Sequence, residues 1–251
     1  MSKQEMKGFL DEKYQQYNQP AFLEHDPVQI PHLFTKKEDQ EISGFLAASI
    51  AWGNRVSILK SAKSMLERMD QEPFEYVMNA SSSEMASLEG FVHRTFNEDD
   101  FRNFILGIRR IYLKGGMESH FSNNDVLKGI ASFRKAFFDG DSTSRTQKHV
   151  SNPEKGSASK RLNMFLRWMV RKDRQGVDLG IWKKVDESCL MLPLDVHTGN
   201  TGRALGLLSR KQNDWTAVVE ITEALREFDP KDPIKYDFAL FGLGVNEGFN
   251  K

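Results

Sequence analysis

The sequence is short of cysteine, of long apolar runs and of alternating apolar and polar residues. Each shortage excludes a class of protein. One cysteine, Cys189, stands in 251 residues. An intramolecular disulfide cannot form, and no zinc finger or other site ligated by several cysteines of one chain can be built. The same count leaves no thiolate set for an iron–sulfur cluster, so neither cofactor nor metal is expected. No stretch approaches the roughly 20 consecutive apolar residues of a membrane-spanning helix, so no membrane partner is expected. The opening MSKQEMKGFLDEKYQQYNQP has no apolar core and no small-residue cleavage pattern. A secretory signal is therefore not expected, and the expected location is the cytoplasm. Period-two alternation bounded by turns is missing, and with it the mark of half-buried strands. No internal repeat is visible.

What is present is balanced. Lys and Arg number 35, Asp and Glu 35, and hydrophobic residues make up 39%. That composition belongs to an ordinary globular protein, and the length suits one large domain or two small ones. The balance hides an asymmetry. Residues 145–184 carry eleven basic residues against three acidic, a surplus of eight that the rest of the chain cancels. Such a segment is either a phosphate-binding face or a solvated face neutralised by acidic neighbours in space.

Taken in order, residues 1–38 read as one short helix and an extended segment interrupted by Pro20, Pro27 and Pro31. Residues 39–251 read as a helical region. Ile42, Phe45, Leu46 and Ile50 predict one helix, and Val56, Leu59, Ala62 and Leu66 a second. Trp52-Gly53-Asn54-Arg55 is the turn between them, a place where function gathers more often than on helix faces. Residues 73–90 predict a helix pair joined at Ser81 to Ser83. Phe101, Phe104, Ile105, Ile108 and Tyr112 predict a helix opened by Asn97 or Asp99, and residues 127–138 another. Residues 139–159, rich in Ser, Thr, Gly and Asn, read as a flexible loop. Residues 160–171 follow as a helix, with Leu162, Phe165, Leu166, Met169 and Val170 inward and Lys160, Arg161, Arg167 and Arg171 outward. A short helix is expected within 176–192, then helices from 198, over 215–228 with Asn213 or Asp214 as cap, and over 234–243, ending at Gly242-Leu243-Gly244. The sum is an all-α protein of about ten helices in two lobes, with little or no sheet.

The stretch LPLDVHTGNTGRALGLL, residues 192–208, stands out. Pro193 suits the approach to a helix. Asp195 suits its N-cap, where a carboxylate accepts the free N–H groups of the first turn. Gly199 and Gly202 leave room for something close to the backbone. Asp195 is then either a cap and nothing more, or a carboxylate held at a helix mouth for chemistry.

Four stretches together resemble the helix-hairpin-helix DNA glycosylase superfamily. EISGFLAASIAWGNRVSILKSAKSML (residues 41–66) resembles its early helix, the turn whose side chains enter the DNA stack, and the next helix. GSASKRLN (156–163) resembles the end of the hairpin and the helix after it. The 192–208 stretch resembles the loop that carries the family's aspartate, and DFALFGLG (237–244) its final helix. The C-terminal half looks closest to an uncharacterised bacterial family of glycosylase-like proteins. The resemblance implies a two-lobed helical fold with a cleft, DNA as partner, flipping of a damaged base, and cleavage of its N-glycosidic bond with Asp195. A carboxylate near C1′ stabilises the oxocarbenium character of that transition state. The resemblance implies a lysine facing the aspartate in lyase-competent members, with Lys160 or Asn163 at that place in different registers and His197 beside it. The spacing of the commonest members falls on Val177 instead. It further implies Trp52, Asn54 and Arg55 at the DNA stack, and Lys155, Gly156, Arg161 and Arg203 on the phosphates. The alternative is a DNA- or RNA-binding protein that keeps the fold without the catalysis.

Overall fold

The computed structural model describes residues 1–140 and 145–249. Part of the loop expected over 139–159, namely 141–144, lies outside the described residues. Among those described, the chain folds into eleven α-helices, several 3₁₀ turns and one short hairpin. In chain order these are α1 (Lys3–Tyr17), α2 (Lys37–Ser49), α3 (Arg55–Glu67), α4 (Pro73–Asn79), α5 (Ser82–Ala86), β1 (Val92–His93), β2 (Phe96–Asn97), α6 (Glu98–Leu113) and α7 (Val126–Phe137). Then come α8 (Lys160–Val170), α9 (Val196–Ala204), α10 (Trp215–Arg226) and α11 (Tyr236–Asn246). The protein is all-α apart from the two antiparallel strands. No helix among the described residues is long and apolar enough to cross a membrane.

Side-chain caps set most helix starts, three of them at positions the sequence offers as caps. Ser2, Asn54, Ser81, Asn97, Asp125, Asp195 and Asp214 each accept a backbone N–H of the helix that follows. Asn97, not Asp99, opens α6, and Asp214, not Asn213, opens α10. Each capping oxygen satisfies a donor that the helix itself leaves unpaired.

The chain divides into two compact units, Met1–Phe22 with Asn152–Lys251, and Leu23–Ser151. This division does not coincide with one at residue 38. Helix α1 belongs with the C-terminal helices, because α11 packs against it and against α9.

In the Leu23–Ser151 unit, Phe45 of α2 stacks on Phe104 of α6 and meets Phe133 and Phe137 of α7 edge-on. Gly107 lets α7 approach, since a Cβ there would lie 2.6 Å from the Phe137 ring. The segment 145–149, expected within the flexible loop, forms a 3₁₀ turn. Thr146 Oγ1 donates to the buried Asp100 carboxylate at 2.8 Å, and the His149 ring lies 3.2 Å from it.

In the other unit, three departures from the sequence expectation have clear causes. Residues 176–192 hold no α-helix, only a 3₁₀ turn at Glu187–Cys189. The N–H groups of Leu179 and Gly180 donate to the Trp168 carbonyl, and that of Trp182 to the Met169 carbonyl. The segment thus supplies partners to the C-terminal turn of α8, and Trp182 buries its ring edge-on against Phe165. Helix α11 runs through Gly242 and Gly244 instead of ending there. Those glycines are contact points: a Cβ at Gly242 would lie 2.1 Å from the Tyr17 ring, and one at Gly244 2.9 Å from Thr201 Oγ1. Gly199 and Gly202 serve likewise, with Asn213 and Ile221 as the close neighbours. Finally, Arg167 and Arg171 do not point outward; they are 4% and 1% exposed.

Gly242→Ala is expected to destabilise the protein by about 1–3 kcal/mol, because the added methyl would overlap the Tyr17 ring and force it or the helix to move. Gly8, in α1 with nothing within 4 Å of its would-be Cβ, gives the opposite sign, and Gly8→Ala should add up to about 1 kcal/mol. Urea unfolding of the two variants beside the wild type measures both.

Candidate active site

Helix α8 opens from a left-handed corner. The Pro153–Lys155 3₁₀ turn ends at Gly156 with φ +86°. Ser157 then forms a β-bridge with Asp214, and the Trp215 N–H donates to the Gly156 carbonyl. Ser159, buried, adopts φ +49°. A non-glycine residue in that region is held there by its surroundings at a cost of about 1–3 kcal/mol. Its N–H donates to Ser157 Oγ at 3.2 Å, and its carbonyl takes the Asn163 N–H at 3.0 Å. The corner therefore fixes where Lys160, the first residue of α8, begins.

Lys160 meets Asp195. Its Nζ lies 3.1 Å from Asp195 Oδ2, and the two side chains are 35% and 16% exposed. The other carboxylate oxygen, Oδ1, takes the Thr198 N–H at 2.9 Å and the Thr198 hydroxyl at 3.0 Å. In return the Asp195 N–H donates to Thr198 Oγ1 at 2.8 Å. So Asp195 is an N-cap with one oxygen and an ion-pair partner with the other. Burial disfavours its charge, yet the Lys160 ammonium and the Thr198 donors prevail and hold the carboxyl below the usual aspartate range. The positive end of α9 acts in the same direction.

Around this pair runs a ladder of charges that sequence reasoning missed. On α8 and at its C-cap, Arg167 and Arg171 follow Lys160 by two and three turns. Arg167 Nε donates to Asp178 Oδ1 at 3.1 Å, and its Nη1 donates to Asp237 on α11. Arg171 donates to Asp178 Oδ2 at 3.0 Å and through Nε to Asp232 at 3.0 Å. The rings of Phe238 and Tyr14 cover the two guanidiniums. Asp237 sits deep among these. Burial pushes its pKa up to about 6; Arg167 opposes the shift and the Asp195 carboxylate adds to it. Asp237 was legible only as the lone acid of an otherwise apolar helix.

The remaining candidates sort by environment. Asn163 is 1% exposed and its Nδ2 donates to the Ala158 carbonyl at 3.2 Å. It lies one turn along α8 from Lys160 and is not the ion-pair partner of Asp195. His197, half-buried on α9, meets Phe241 edge-on at 6.3 Å. Burial lowers the Arg161 pKa to about 10. Lys155 and Gly156 are exposed on the turn before α8. Arg203 is engaged by its own neighbourhood: it donates to the carbonyls of Arg210 and Lys211 and to Asn213 Oδ1. In the Leu23–Ser151 unit, Trp52, Asn54 and Arg55 share the turn between α2 and α3, as expected. The half-buried Trp52 ring stacks on His149 and meets His93 edge-on, while Asn54 caps α3.

A charged cavity of about 720 Å³ lies beside the ladder, lined by Tyr14, Arg171, Lys172, Asp232 and Lys235 among others. Its buried cations are already answered, Arg171 by Asp178 and Asp232, and Lys235 by Asp11 and Asp229. The pair with an open side is Lys160 and Asp195. Among the described residues, no group of three or more His, Cys, Asp or Glu side chains is gathered as if for a metal ion.

A half-buried lysine salt-bridged to a helix-capping aspartate, backed by buried ion pairs, defines a helical protein with a candidate acid–base site. The family described as Protein of unknown function (DUF2400) matches residues 26–246, and the chain belongs to that family. No curated protein and no solved structure matches it.

Asp237 fixes a pH signature. With its folded pKa above the unfolded value of 3.8, its contribution to stability is fully present below about pH 4 and is lost as the pH rises through about 6. Asp195 contributes in the other sense, and its stabilisation is lost as the pH falls below the ordinary aspartate range. Asp237→Asn should therefore remove a decline in stability between pH 4 and pH 6 that the wild type shows. Urea midpoints at half-unit steps across that window provide the check.

Proposed function

We propose that this protein excises a base from DNA, on a glycosylase-like helical fold, with Asp195 and Lys160 as the reacting pair. The observation that carries the reading is Lys160 Nζ lying 3.1 Å from Asp195 Oδ2 at the first turn of α9. Of the two lysine registers, this contact favours Lys160 over Asn163. Asp195 held ionised beside C1′ stabilises positive charge as the C1′–N bond lengthens. It also accepts the proton that Lys160 must lose to become a nucleophile. Nζ then bonds to C1′, the C1′–N electron pair leaves with the base, and the base takes up a proton. Opening of the sugar gives a Schiff base, which borohydride reduces to a stable amine crosslink.

Other parts of the chain fit this chemistry. Lys155 and Gly156 stand exposed on the turn before α8 and Arg161 lies in the first turn of the helix, where a cationic surface suits a phosphate. Trp52, Asn54 and Arg55 supply the turn that would enter the stack. His197 shares the first turn of α9 with the site. Arg203 drops out of the set, because its guanidinium already serves three acceptors. The damaged or structured DNA this implies would be met in the cytoplasm.

The test uses duplexes bearing uracil, hypoxanthine, 8-oxoguanine or a pre-formed abasic site, with borohydride present. Wild-type protein is expected to crosslink to abasic DNA. Lys160→Ala should abolish the crosslink, and Asp195→Asn should slow base release by about 100-fold or more. No release and no crosslink on any duplex overturns the reading. Salt-dependent binding that is indifferent to Asp195→Asn would instead mark a non-catalytic nucleic-acid binder.

A further inference from the structure

The cavity beside the charge ladder takes no part in the chemistry of Lys160 and Asp195. Its volume, about 720 Å³, falls within the roughly 300–1,000 Å³ of small-molecule sites. It lies at the other end of α8 from the candidate active site. Arg171, the C-cap of that helix, stands in its wall, and the length of α8 puts about 16 Å between Lys160 and Arg171. The wall holds four cations, Arg171, Lys172, Arg174 and Lys235, against three carboxylates, Glu187, Asp229 and Asp232.

What this wall leaves unanswered is donors. Each carboxylate already accepts a hydrogen bond. Asp232 takes Arg171 Nε at 3.0 Å. Asp229 takes Lys235 Nζ at 2.7 Å and two backbone N–H groups at 3.1 Å, and Glu187 takes the Lys172 N–H at 3.1 Å. The Lys172 ammonium and the Arg174 guanidinium are both exposed, and neither makes a hydrogen bond or an ion pair among the described residues. Tyr14 adds a third donor. Its hydroxyl oxygen accepts from Arg171 Nη2 at 2.8 Å and from Asn18 Nδ2 at 3.0 Å. The Asn18 amide is held in that orientation, because the same nitrogen donates to Asp173 Oδ1 at 2.8 Å. The lone pairs of the phenol are thus in use, and its own hydrogen has no acceptor among the described residues.

Free donors, two of them cationic, suit an anion with several acceptor oxygens, and a phosphate monoester brings close to two charges and three such oxygens. The rest of the wall tells what that phosphate is attached to. Tyr14 is the one aromatic residue lining the cavity among the described residues, and its ring already has Arg171 and Lys235 over it, 5.3 and 5.7 Å from its centre. A nucleobase therefore meets no free ring or aliphatic surface to stack on. Hydroxyl groups fare better, since Gln15 and Gln175 offer amides and the three carboxylates keep lone pairs for hydroxyl hydrogens. We infer that this cavity binds a small phosphate monoester with a hydroxylated body, a sugar or polyol phosphate, its phosphate held by Lys172, Arg174 and the Tyr14 hydroxyl. Such a site is independent of base excision at Lys160 and Asp195.

The test is calorimetric titration of the full-length protein with ribose 5-phosphate, glucose 6-phosphate and glycerol 3-phosphate. Beside them run the parent ribose, glucose and glycerol, inorganic phosphate, adenosine 5′-monophosphate and the polyamine spermidine. At least one of the three phosphate esters is expected to bind at a single site with Kd below about 1 mM. It should bind about tenfold or more tighter than its parent polyol and than inorganic phosphate. Lys172→Gln and Arg174→Gln should each weaken that binding by about tenfold. Both side chains are exposed, so the fold is expected to stand, and unfolding midpoints confirm it. Lys60→Gln, an exposed lysine on α3 of the other unit, should leave the affinity unchanged. No binding by any of the three esters overturns the assignment. So does a parent polyol or inorganic phosphate that binds as tightly as its ester, adenosine monophosphate or spermidine binding tighter than all three, or an affinity that neither cavity substitution moves.

Discussion

The buried arginines of α8 are the constraint on which the C-terminal unit depends. Arg167 and Arg171 lie almost wholly out of solvent, and an unpaired charge in such a place would cost several kcal/mol. Asp178 answers both, Asp237 answers the first and Asp232 the second. Those carboxylates come from the segment after α8, from the first turn of α11 and from the turn before it. Meeting the charges of one helix therefore fixes three other pieces of chain. The glycines of α11 complete the arrangement, since Gly242 and Gly244 admit Tyr17 of α1 and Thr201 of α9 to backbone distance.

The same ladder prepares the site. Lys160, Arg167 and Arg171 form a row of cations along α8, and the first of them, nearest to solvent, faces Asp195. Farther in, each cation is held by two carboxylates and covered by an aromatic face. At the outer end one cation meets one carboxylate, which is itself half engaged as an N-cap. The site is thus the least satisfied end of a satisfied network. The surplus of positive charge in residues 145–184 is explained in part by this, since three of those cations serve internal carboxylates. Others of them, such as Lys155, Lys172 and Arg174, are exposed.

The helices of the Leu23–Ser151 unit were legible because their apolar spacing and their caps agree. Asn97 and Asp125 sit where α6 and α7 start, and the ring cluster of Phe45, Phe104, Phe133 and Phe137 follows the 3.6-residue period. The hairpin over 92–97 was missed because strands of two residues are too short to show alternation. The false helix within 176–192 has a different cause. Leu179, Ile181, Trp182 and Val185 mimic helical spacing, but the backbone donors of Leu179, Gly180 and Trp182 are claimed by the carbonyls of Trp168 and Met169. Likewise Arg167 and Arg171 looked like a polar face, because a pattern of charge does not reveal whether partners arrive from elsewhere in the chain.

By itself the sequence determined the all-α class, most helix starts and the N-cap position of Asp195. These depend on residues within one turn of each other, and local chemistry is written in order along the chain. It also narrowed the lysine to two registers. Only the tertiary structure decided that Lys160 reaches Asp195, and that Asp237 and Arg167 stand behind them. Each of those facts joins residues far apart in sequence, or turns on the geometry of the Ser157–Ser159 corner, and residue spacing carries no information about either.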